Sequence, residues 1–217
     1  MATAMTFASL QNDMRAYLER GYTAASDPTV YEQLPRLINL AERRLARELK
    51  IQGTVNVATS ETVAGVATYA KPDRWRETVS MGVGTGTGNN TRSEIFPRSY
   101  EYIRSYWPNQ TVTGTPRFYA DYDYSHWLFA PTPSAAFPYE IIYYELPPLL
   151  DDMQQTNWFT EYAPNALLYA ALMEAAPFLK NEETIPVWEG YYTRAIAALN
   201  GEDVRGIVDR GIVRQEG

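Results

Sequence analysis

Apolar residues recur with a helical period in residues 1–53 of the chain. Thr6 precedes apolar positions spaced three and four apart, and this pattern ends at Gly21, which predicts a first helix capped by Thr6. Asp27-Pro28 has the form of an N-cap followed by proline at the first helical position. The second predicted helix ends at Gly53, and its apolar face consists of Leu34, Ile38, Ala41, Leu45 and Leu49.

The pattern changes between Thr54 and Pro147, where Thr, Val, Tyr, Gly and Pro dominate and apolar runs shorten to strand length. We therefore expect a β-rich module here, interrupted by one short helix from Arg98 to Tyr106. The predicted strands cover residues 54–59, 66–70, 77–83, 117–122, 126–129 and 139–145.

A helical period returns after Pro148. One helix begins near Trp158, restarts at Pro164 and continues towards Lys180, and a final helix ends at Asn200-Gly201. The remaining residues contain a five-residue repeat, Arg-Gly-Ile-Val-Asp followed by Arg-Gly-Ile-Val-Arg over residues 205–214. Its two glycines argue against a helix, so we expect an extended C-terminal tail.

The order of helices, strands and helices predicts an α+β fold. Residues 1–53 and 148–200 would form one helical bundle domain that shares a core, residues 54–147 an inserted β-rich module, and residues 201–217 the extended tail.

Composition excludes several chemistries. Among its 217 residues the chain has no Cys and one His, His126, so it offers no thiolate zinc site, disulfide framework or multi-histidine metal site, and we expect no cofactor. No residue resembles an activated nucleophile that would use His126 as its base. The N-terminal residues lack the pattern of a signal peptide, and the longest apolar stretch is interrupted by polar residues and prolines, so we expect a protein made in the cytoplasm without a membrane span.

Charge is distributed unevenly along the chain. The formal net charge is −7, and residues 148–200 hold 7 acidic against 2 basic residues, whereas the second helix is locally basic. Acidic residues interleave with its arginines, which favours a solvated face or an inter-subunit salt-bridge surface over a nucleic-acid patch. These residues are Arg36, Glu42, Arg43, Arg44, Arg47 and Glu48.

Two motifs carry alternative chemical interpretations. The Gly-rich residues 82–88 could form a phosphate cradle, but no helical period or Lys-Ser/Thr pair follows, so a hairpin tip is the simpler interpretation. The carboxylates of the β module are of the type that glycosidases use, although alternate positions on a strand also mark a solvent face. With the aromatic residues of the module, they leave open a carbohydrate-binding or glycan-cleaving protein; the carboxylates are Asp121, Asp123, Glu140 and Glu145.

Several short segments along the chain form an ordered set of motifs. They are residues 40–49, Pro72-Asp73, residues 114–119, 129–133, 143–149, 156–159 and 162–169, and Trp188 with Tyr191-Tyr192. Taken in this order, they resemble the head-to-tail adaptor (connector) proteins of tailed bacteriophages. The resemblance spans about residues 6–200, and Lys71 departs from it where an apolar residue is expected.

The resemblance implies a non-enzymatic structural protein of the virion neck. It implies a dodecameric ring that docks beneath the portal protein after DNA packaging, extends the DNA channel and presents a platform to tail or nozzle proteins, with tail fibres as further candidates. Duplex DNA would pass through without sequence-specific contacts. The alternatives within virion proteins are a stopper or a tail completion protein.

Two hypotheses follow for particular residues. An acidic surface on the C-terminal helices would repel the phosphates of DNA and allow it to slide. The tail would become ordered on the portal, as an added strand, through Arg205, Ile207, Val208, Arg210, Ile212, Val213 and Arg214.

Overall fold

The chain divides into two compact units. The computed structural model describes the backbone of residues 4–19, 24–84 and 92–213, and the side chains of these residues except 92 and 202–213. The helical unit comprises Met1–Thr54 with Leu146–Gly217, and the β unit comprises Val55–Glu145. The predicted α+β class is confirmed.

The helices of the described residues are, in chain order, α1 Phe7–Tyr17, α2 Pro28–Glu48, α3 Tyr100–Tyr106, α4 Trp158–Tyr162, α5 Pro164–Phe178 and α6 Ile185–Val213. The strands are β1 Val55–Glu61, β2 Thr68–Ala70, β3 Trp75–Gly84, β4 Arg92–Glu94, β5 Phe96–Pro97, β6 Thr113–Gly114, β7 Phe118–Asp121, β8 His126–Ala130, β9 Thr132–Pro133 and β10 Pro138–Glu145.

Side-chain caps fix the first two helix starts. Thr6 Oγ1 accepts a hydrogen bond from the Ser9 N–H at 3.1 Å, and Ser9 Oγ accepts one from the Thr6 N–H at 2.9 Å, which completes a capping box. Asp27 Oδ1 accepts from the Val30 N–H at 3.2 Å, ahead of proline at the first position of α2. Both predicted starts are confirmed.

The core of the helical unit surrounds α5. This helix buries residues on almost every side, among them Leu167, Leu168 and Leu172, and α1, α2, α4 and α6 pack against it. The N-terminal and C-terminal helices therefore share one core, as predicted. Truncating one of these leucines to alanine is expected to cost about 2–5 kcal/mol of unfolding free energy.

The last helix is longer than predicted. The expectation that it ends at Asn200-Gly201 and is followed by an extended tail is wrong, because α6 continues to Val213. An established helix adds residues without a new nucleation step, and this offsets a cost of about 1 kcal/mol for each interior glycine. In addition, Val204, Val208 and Ile212 recur every four residues, a helical spacing that the five-residue repeat obscures.

Two four-stranded sheets build the β unit. One has the order β1-β10-β3-β4 and is antiparallel, and the other has the order β2-β8-β7-β5, with β5 parallel to β7. In the first sheet, Val55 of β1 pairs with Tyr144 of β10, and the register runs without a break to Glu61 opposite Pro138. A short parallel pair, β6 with β9, completes the described strands.

The two sheets enclose an aromatic core. Alternate residues of β10, Tyr139, Ile141 and Tyr143, are buried, and they pack in one cluster with Trp127 and Phe129 of β8. On the other face of the second sheet, α3 packs its Ile103 in a separate cluster whose remaining buried members are Ala120, Leu128 and Ala130. The β unit thus places α3 on one side of a sheet and the main core on the other.

The strands β4, β5, β6 and β9 are absent from the sequence prediction. Each has two or three residues, too few to show a period of two. The predicted hairpin tip at the Gly-rich segment continues through residues 85–90, which lie outside the described residues, whereas Gly82 to Gly84 belong to β3.

Candidate interaction surfaces

The outer side of α2 carries exposed arginines around one exposed leucine. Arg36, Leu40, Arg43 and Arg47 follow one another at helical spacing, directly opposite the side that α2 buries in the core. Leu40 is 42% exposed. Among the described residues none forms an ion pair with these three arginines. We call these four residues the cationic face of α2.

The neighbouring charges on α2 bind other helices instead. Arg44 Nη2 lies 2.5 Å from Glu174 Oε1 of α5, and the Tyr192 hydroxyl of α6 donates to Glu48 Oε2 at 2.5 Å. Burial, together with this hydrogen bond to a carboxylate, raises the pKa of Tyr192 far above its ordinary value. The basic stretch predicted as one surface therefore separates into a structural arginine, Arg44, and three exposed ones.

Glu42 is a buried carboxylate at the side of α2. The Leu150 N–H lies 3.2 and 3.1 Å from its two oxygens, and Asn157 Nδ2 donates to Oε1 at 2.6 Å. Burial raises the pKa of Glu42 to about 7, although the two hydrogen bonds and the nearby Arg43 act in the opposite direction. The expectation of a solvated face is wrong for this residue.

The Glu42 carboxylate fixes the segment that leads into α4. Asn157 also donates from Nδ2 to the Pro148 carbonyl at 2.8 Å, and its Oδ1 accepts from the Phe159 N–H at 3.0 Å, so the same side chain caps α4. A sequence signal for this role exists, because Glu42 lies four residues after Ile38 and three before Leu45, on the flank of the apolar face.

A loop between Leu150 and Thr156 presents a methionine to solvent. Met153 is 98% exposed, while the loop beneath it is held by its own side chains. Asp151 Oδ1 accepts from the N–H groups of Met153 and Gln154, both at 2.7 Å, and Gln155 Nε2 donates to the carbonyls of Asp151 at 3.3 Å and Asp152 at 3.1 Å. We call Asp151, Asp152, Met153 and Gln154 the Met153 loop.

The acidic excess of residues 148–200 is largely exposed. Of its seven carboxylates, only Glu174 forms an ion pair among the described residues, with Arg44. Two belong to the Met153 loop. Three others lie around the start of α6, and all three are exposed: Glu182, Glu183 and Glu189.

Aromatic side chains join α1, α5 and α6 at the surface of the helical unit. Tyr17 meets Trp188 edge-on at 5.8 Å between ring centroids, and Tyr169 stacks on Tyr191 at 5.2 Å. Tyr17 and Tyr191 remain partly exposed. These ring contacts contribute to the packing of the helical unit.

Lys71 stands where an apolar residue is expected, but its buried charge is compensated by neighbouring groups. Its side chain is only 4% exposed, its Nζ lies 2.7 Å from Asp121 Oδ1 and 3.8 Å from the centroid of the Trp75 ring, and it donates to the Asp123 carbonyl at 3.0 Å. The aliphatic stem thus takes the place of an apolar side chain, while the carboxylate and the ring stabilise the ammonium group.

The four carboxylates considered for glycan chemistry are not assembled into one site. Asp121 is ion-paired with Lys71 in one sheet, whereas Glu140 and Glu145 lie on β10 in the other. Glu145 pairs with Arg74 at 2.7 Å. A cleft beside β3 contains Asp121 with Glu77 and Glu94, but neither carboxylate of β10. Sequence reasoning did not single out Glu77 or Glu94, and the strand that holds Glu94 was not predicted.

His126 lies in a turn with a serine and an aspartate, but not as a catalytic triad. Ser125 Oγ and Asp123 Oδ1 both lie 3.0 Å from the same ring nitrogen, Nδ1. A triad needs the nucleophile at one ring nitrogen and the acid at the other. Asp123 Oδ1 also accepts from the Ser125 N–H at 2.7 Å, so the group is a hydrogen-bonded turn.

All but one of the predicted portal-binding residues lie at the end of α6. The backbone at residues 205–213 is helical, and Arg214 lies outside the described residues. Sequence reasoning placed these residues in an extended segment, so their expected mode of contact changes although their identity does not.

Neither a metal-binding cluster nor a membrane-spanning helix is found among the described residues. They contain no group of three or more His, Cys, Asp or Glu residues arranged to hold a metal ion. None of the helices in this part of the chain combines the length and apolar character that a bilayer span requires.

The exposed arginines and leucine of α2 and the exposed Met153 are side chains suited to contacts with other proteins. The chain matches the family model described as SU10 adaptor protein over residues 5–214, and it belongs to that family. The resemblance to phage head-to-tail adaptors is thereby confirmed, and with it a structural role in a virion. No curated protein matches the chain.

Proposed function

We propose that the chain forms a ring, a dodecamer by resemblance, that docks beneath the portal, extends the DNA channel and presents a platform to tail or nozzle proteins. The cationic face of α2 is the observation that carries this proposal. Three guanidinium groups and a leucine are exposed on a helix whose other side is packed in the core, and none of the three arginines forms an ion pair among the described residues. Closed rings need heterologous contacts, in which one face of a subunit meets a different face of its neighbour.

Mixing the full chain with the portal of the same phage and imaging the particles tests the proposal. We expect a ring stacked coaxially on the portal. Portal particles that remain bare at saturating adaptor concentration would contradict the proposal. Docking of single copies without a closed ring would contradict its ring component alone.

The carboxylates at the start of α6 support a second part of the proposal, an acidic channel wall. Glu182, Glu183 and Glu189 are exposed and form no ion pair among the described residues. Duplex DNA carries about one charge per 1.7 Å of axis, so an arginine-lined channel would retain it and an acidic one would let it slide. Replacing the three glutamates by arginine is expected to slow DNA ejection from assembled particles without preventing ring formation, and an unchanged ejection rate would refute the channel assignment.

The end of α6 is proposed as the portal contact. Its helical backbone favours docking of a helix in a groove over addition of a strand, and the sequence of its last turns includes Arg205 and Arg210. Deletion of residues 202–217 is expected to abolish binding to the portal while the thermal unfolding of the remaining chain is preserved. Portal binding by the truncated chain at the affinity of the full chain would exclude this contact.

A further inference from the structure

The described residues provide no ion-pair partner for the cationic face of α2, in which charges surround an apolar centre. Arg36 precedes Leu40 by four residues and Arg43 follows it by three, so two guanidinium groups flank the leucine on one side of the helix. A positive charge near the C-terminal end of α2 interacts favourably with the helix dipole, and this explains Arg47 but not Arg36, which lies at mid-helix. Leu40 belongs to none of the hydrophobic clusters formed by the described residues.

The Met153 loop has the complementary pattern, an exposed apolar side chain beside negative charges. A fully exposed methionine follows two aspartates, and the hydrogen bonds of Asp151 and Gln155 fix the loop in one conformation. A preorganised loop loses little conformational entropy on binding. Methionine and arginine are both enriched in protein interfaces, and the thioether adapts its shape to the surface that it meets.

Within one chain the two surfaces remain unpaired with each other. The Met153 loop is anchored next to α2, because Asn39 Nδ2 donates to the Leu150 carbonyl at 3.1 Å and Glu42 binds the Leu150 N–H. Even so, neither Asp151 nor Asp152 forms an ion pair with an arginine among the described residues. Opposite charges and two apolar centres are thus both available to a second molecule.

We infer that the Met153 loop of one copy docks on the cationic face of α2 of a second copy, with Met153 against Leu40 and Asp152 beside Arg36 and Arg43. This contact joins two different surfaces, so it is heterologous and can propagate around a ring. The inference rests on the proposed ring and names the surfaces that close it. A second copy is favoured over DNA as the occupant of the cationic face because the flanking charges surround a leucine, which offers nothing to a phosphate backbone.

Disulfide cross-linking tests this contact directly, since the chain has no cysteine of its own. The variant with both Leu40→Cys and Met153→Cys is assembled on the portal and oxidised mildly. We expect a ladder of multimers up to the size of the ring on a non-reducing gel, whereas each single-cysteine variant remains monomeric. A mixture of the two single variants should yield dimers only.

A matched control replaces the methionine site by another exposed position of the helical unit. Val187 is 53% exposed, and the variant with Leu40→Cys and Val187→Cys is expected to give no ladder. Rings in the images without a Leu40–Met153 ladder would overturn the inference and leave the proposed ring intact. Dimers from Met153→Cys alone would show a symmetric contact and overturn it too, as would a ladder in the control. If no rings form at all, the proposed function fails first and this contact with it.

Charge reversal supplies an independent readout. Asp152→Lys is preferred to a change at Asp151, because Asp151 Oδ1 holds the loop through two hydrogen bonds. Asp152→Lys and Arg36→Glu are each expected to reduce the yield of rings at least tenfold at low salt, and the combined variant should restore rings. The pairing of these two residues would be contradicted if the combined variant did not restore the yield of rings while circular dichroism showed both single variants to be folded.

Discussion

Replacing Glu42 by glutamine should change how the stability of the protein depends on pH. The substitution keeps the size of the side chain and an oxygen that can accept from Asn157 Nδ2 and the Leu150 N–H, which the native carboxylate binds at 2.6 Å and at 3.1–3.2 Å. It removes the ionisable group. The variant therefore isolates the effect of burying a carboxylate from the effect of losing a hydrogen-bond acceptor.

The size and sign of the effect follow from the pKa. Burial raises the pKa of Glu42 from 4.5 to about 7, so the folded chain retains this proton to higher pH than the unfolded chain. Its contribution to stability is fully present below pH 4.5 and is lost as pH rises to about 7. One pKa unit corresponds to 1.36 kcal/mol, which makes the total loss about 3 kcal/mol.

Urea unfolding followed at 222 nm, near pH 4.5, 6, 7 and 8, measures this loss. The difference in unfolding free energy, wild type minus Glu42→Gln, is expected to fall by about 3 kcal/mol across the series. Glu32→Gln is the control, because Glu32 is an exposed carboxylate on the same helix, and its difference should stay constant. A constant difference for Glu42→Gln would refute the assignment of the raised pKa to this residue.

Three further substitutions test other contacts. Tyr192→Phe removes the hydroxyl that donates a hydrogen bond from α6 to Glu48 of α2, and it should cost about 1.5–3 kcal/mol of unfolding free energy. The control Tyr191→Phe, at an exposed position, should cost under about 0.5 kcal/mol. Equal losses would contradict a special role for the Tyr192 hydroxyl. Lys71→Met keeps the aliphatic stem against Trp75, so by thermal unfolding it should cost about 1 kcal/mol less stability than Lys71→Ala. Equal losses for the two variants would show that the charge of Lys71, rather than its stem, dominates its contribution to stability. Gly201→Ala should raise the stability of α6 by about 0.5–1 kcal/mol in the same assay, since an added Cβ meets no atom within 4 Å; a loss would show that this position is not helical in solution.

Periodic features of the fold were predictable from the sequence. The starts of α1 and α2 combine a capping residue with a long apolar period, and both agree with the structure. The last turns of α6 were not predictable from propensity, because Gly201 and the glycines of the repeat each disfavour a helix, while continuation of an existing helix favours it. Strands such as β5 and β9 owe their pairing to tertiary neighbours, and two residues carry no pattern.

The candidate surfaces were predictable in part. The basic character of α2 was read correctly, but its division into a buried Glu42, a bridging Arg44 and exposed Arg43 depends on which neighbours surround each side chain. The exposure of Met153 was not predictable from the sequence, because exposure of a single methionine is a property of the folded loop. The family could be recognised from the sequence because the order of many weak motifs is more specific than any one of them.

The pairing of Val55 with Tyr144 has a consequence for how the chain connects its two helical halves. The inserted β unit separates them by about 90 residues, and closing a flexible loop of that length costs about 4 kcal/mol of entropy. Because the first and last strands of the insertion are hydrogen-bonded neighbours, the insertion begins and ends within one strand spacing, roughly 5 Å. A folded β unit therefore acts on the helices as a short tether does. Its interior can lengthen, shorten or be exchanged for another module with adjacent ends, while the helical unit keeps the same connection.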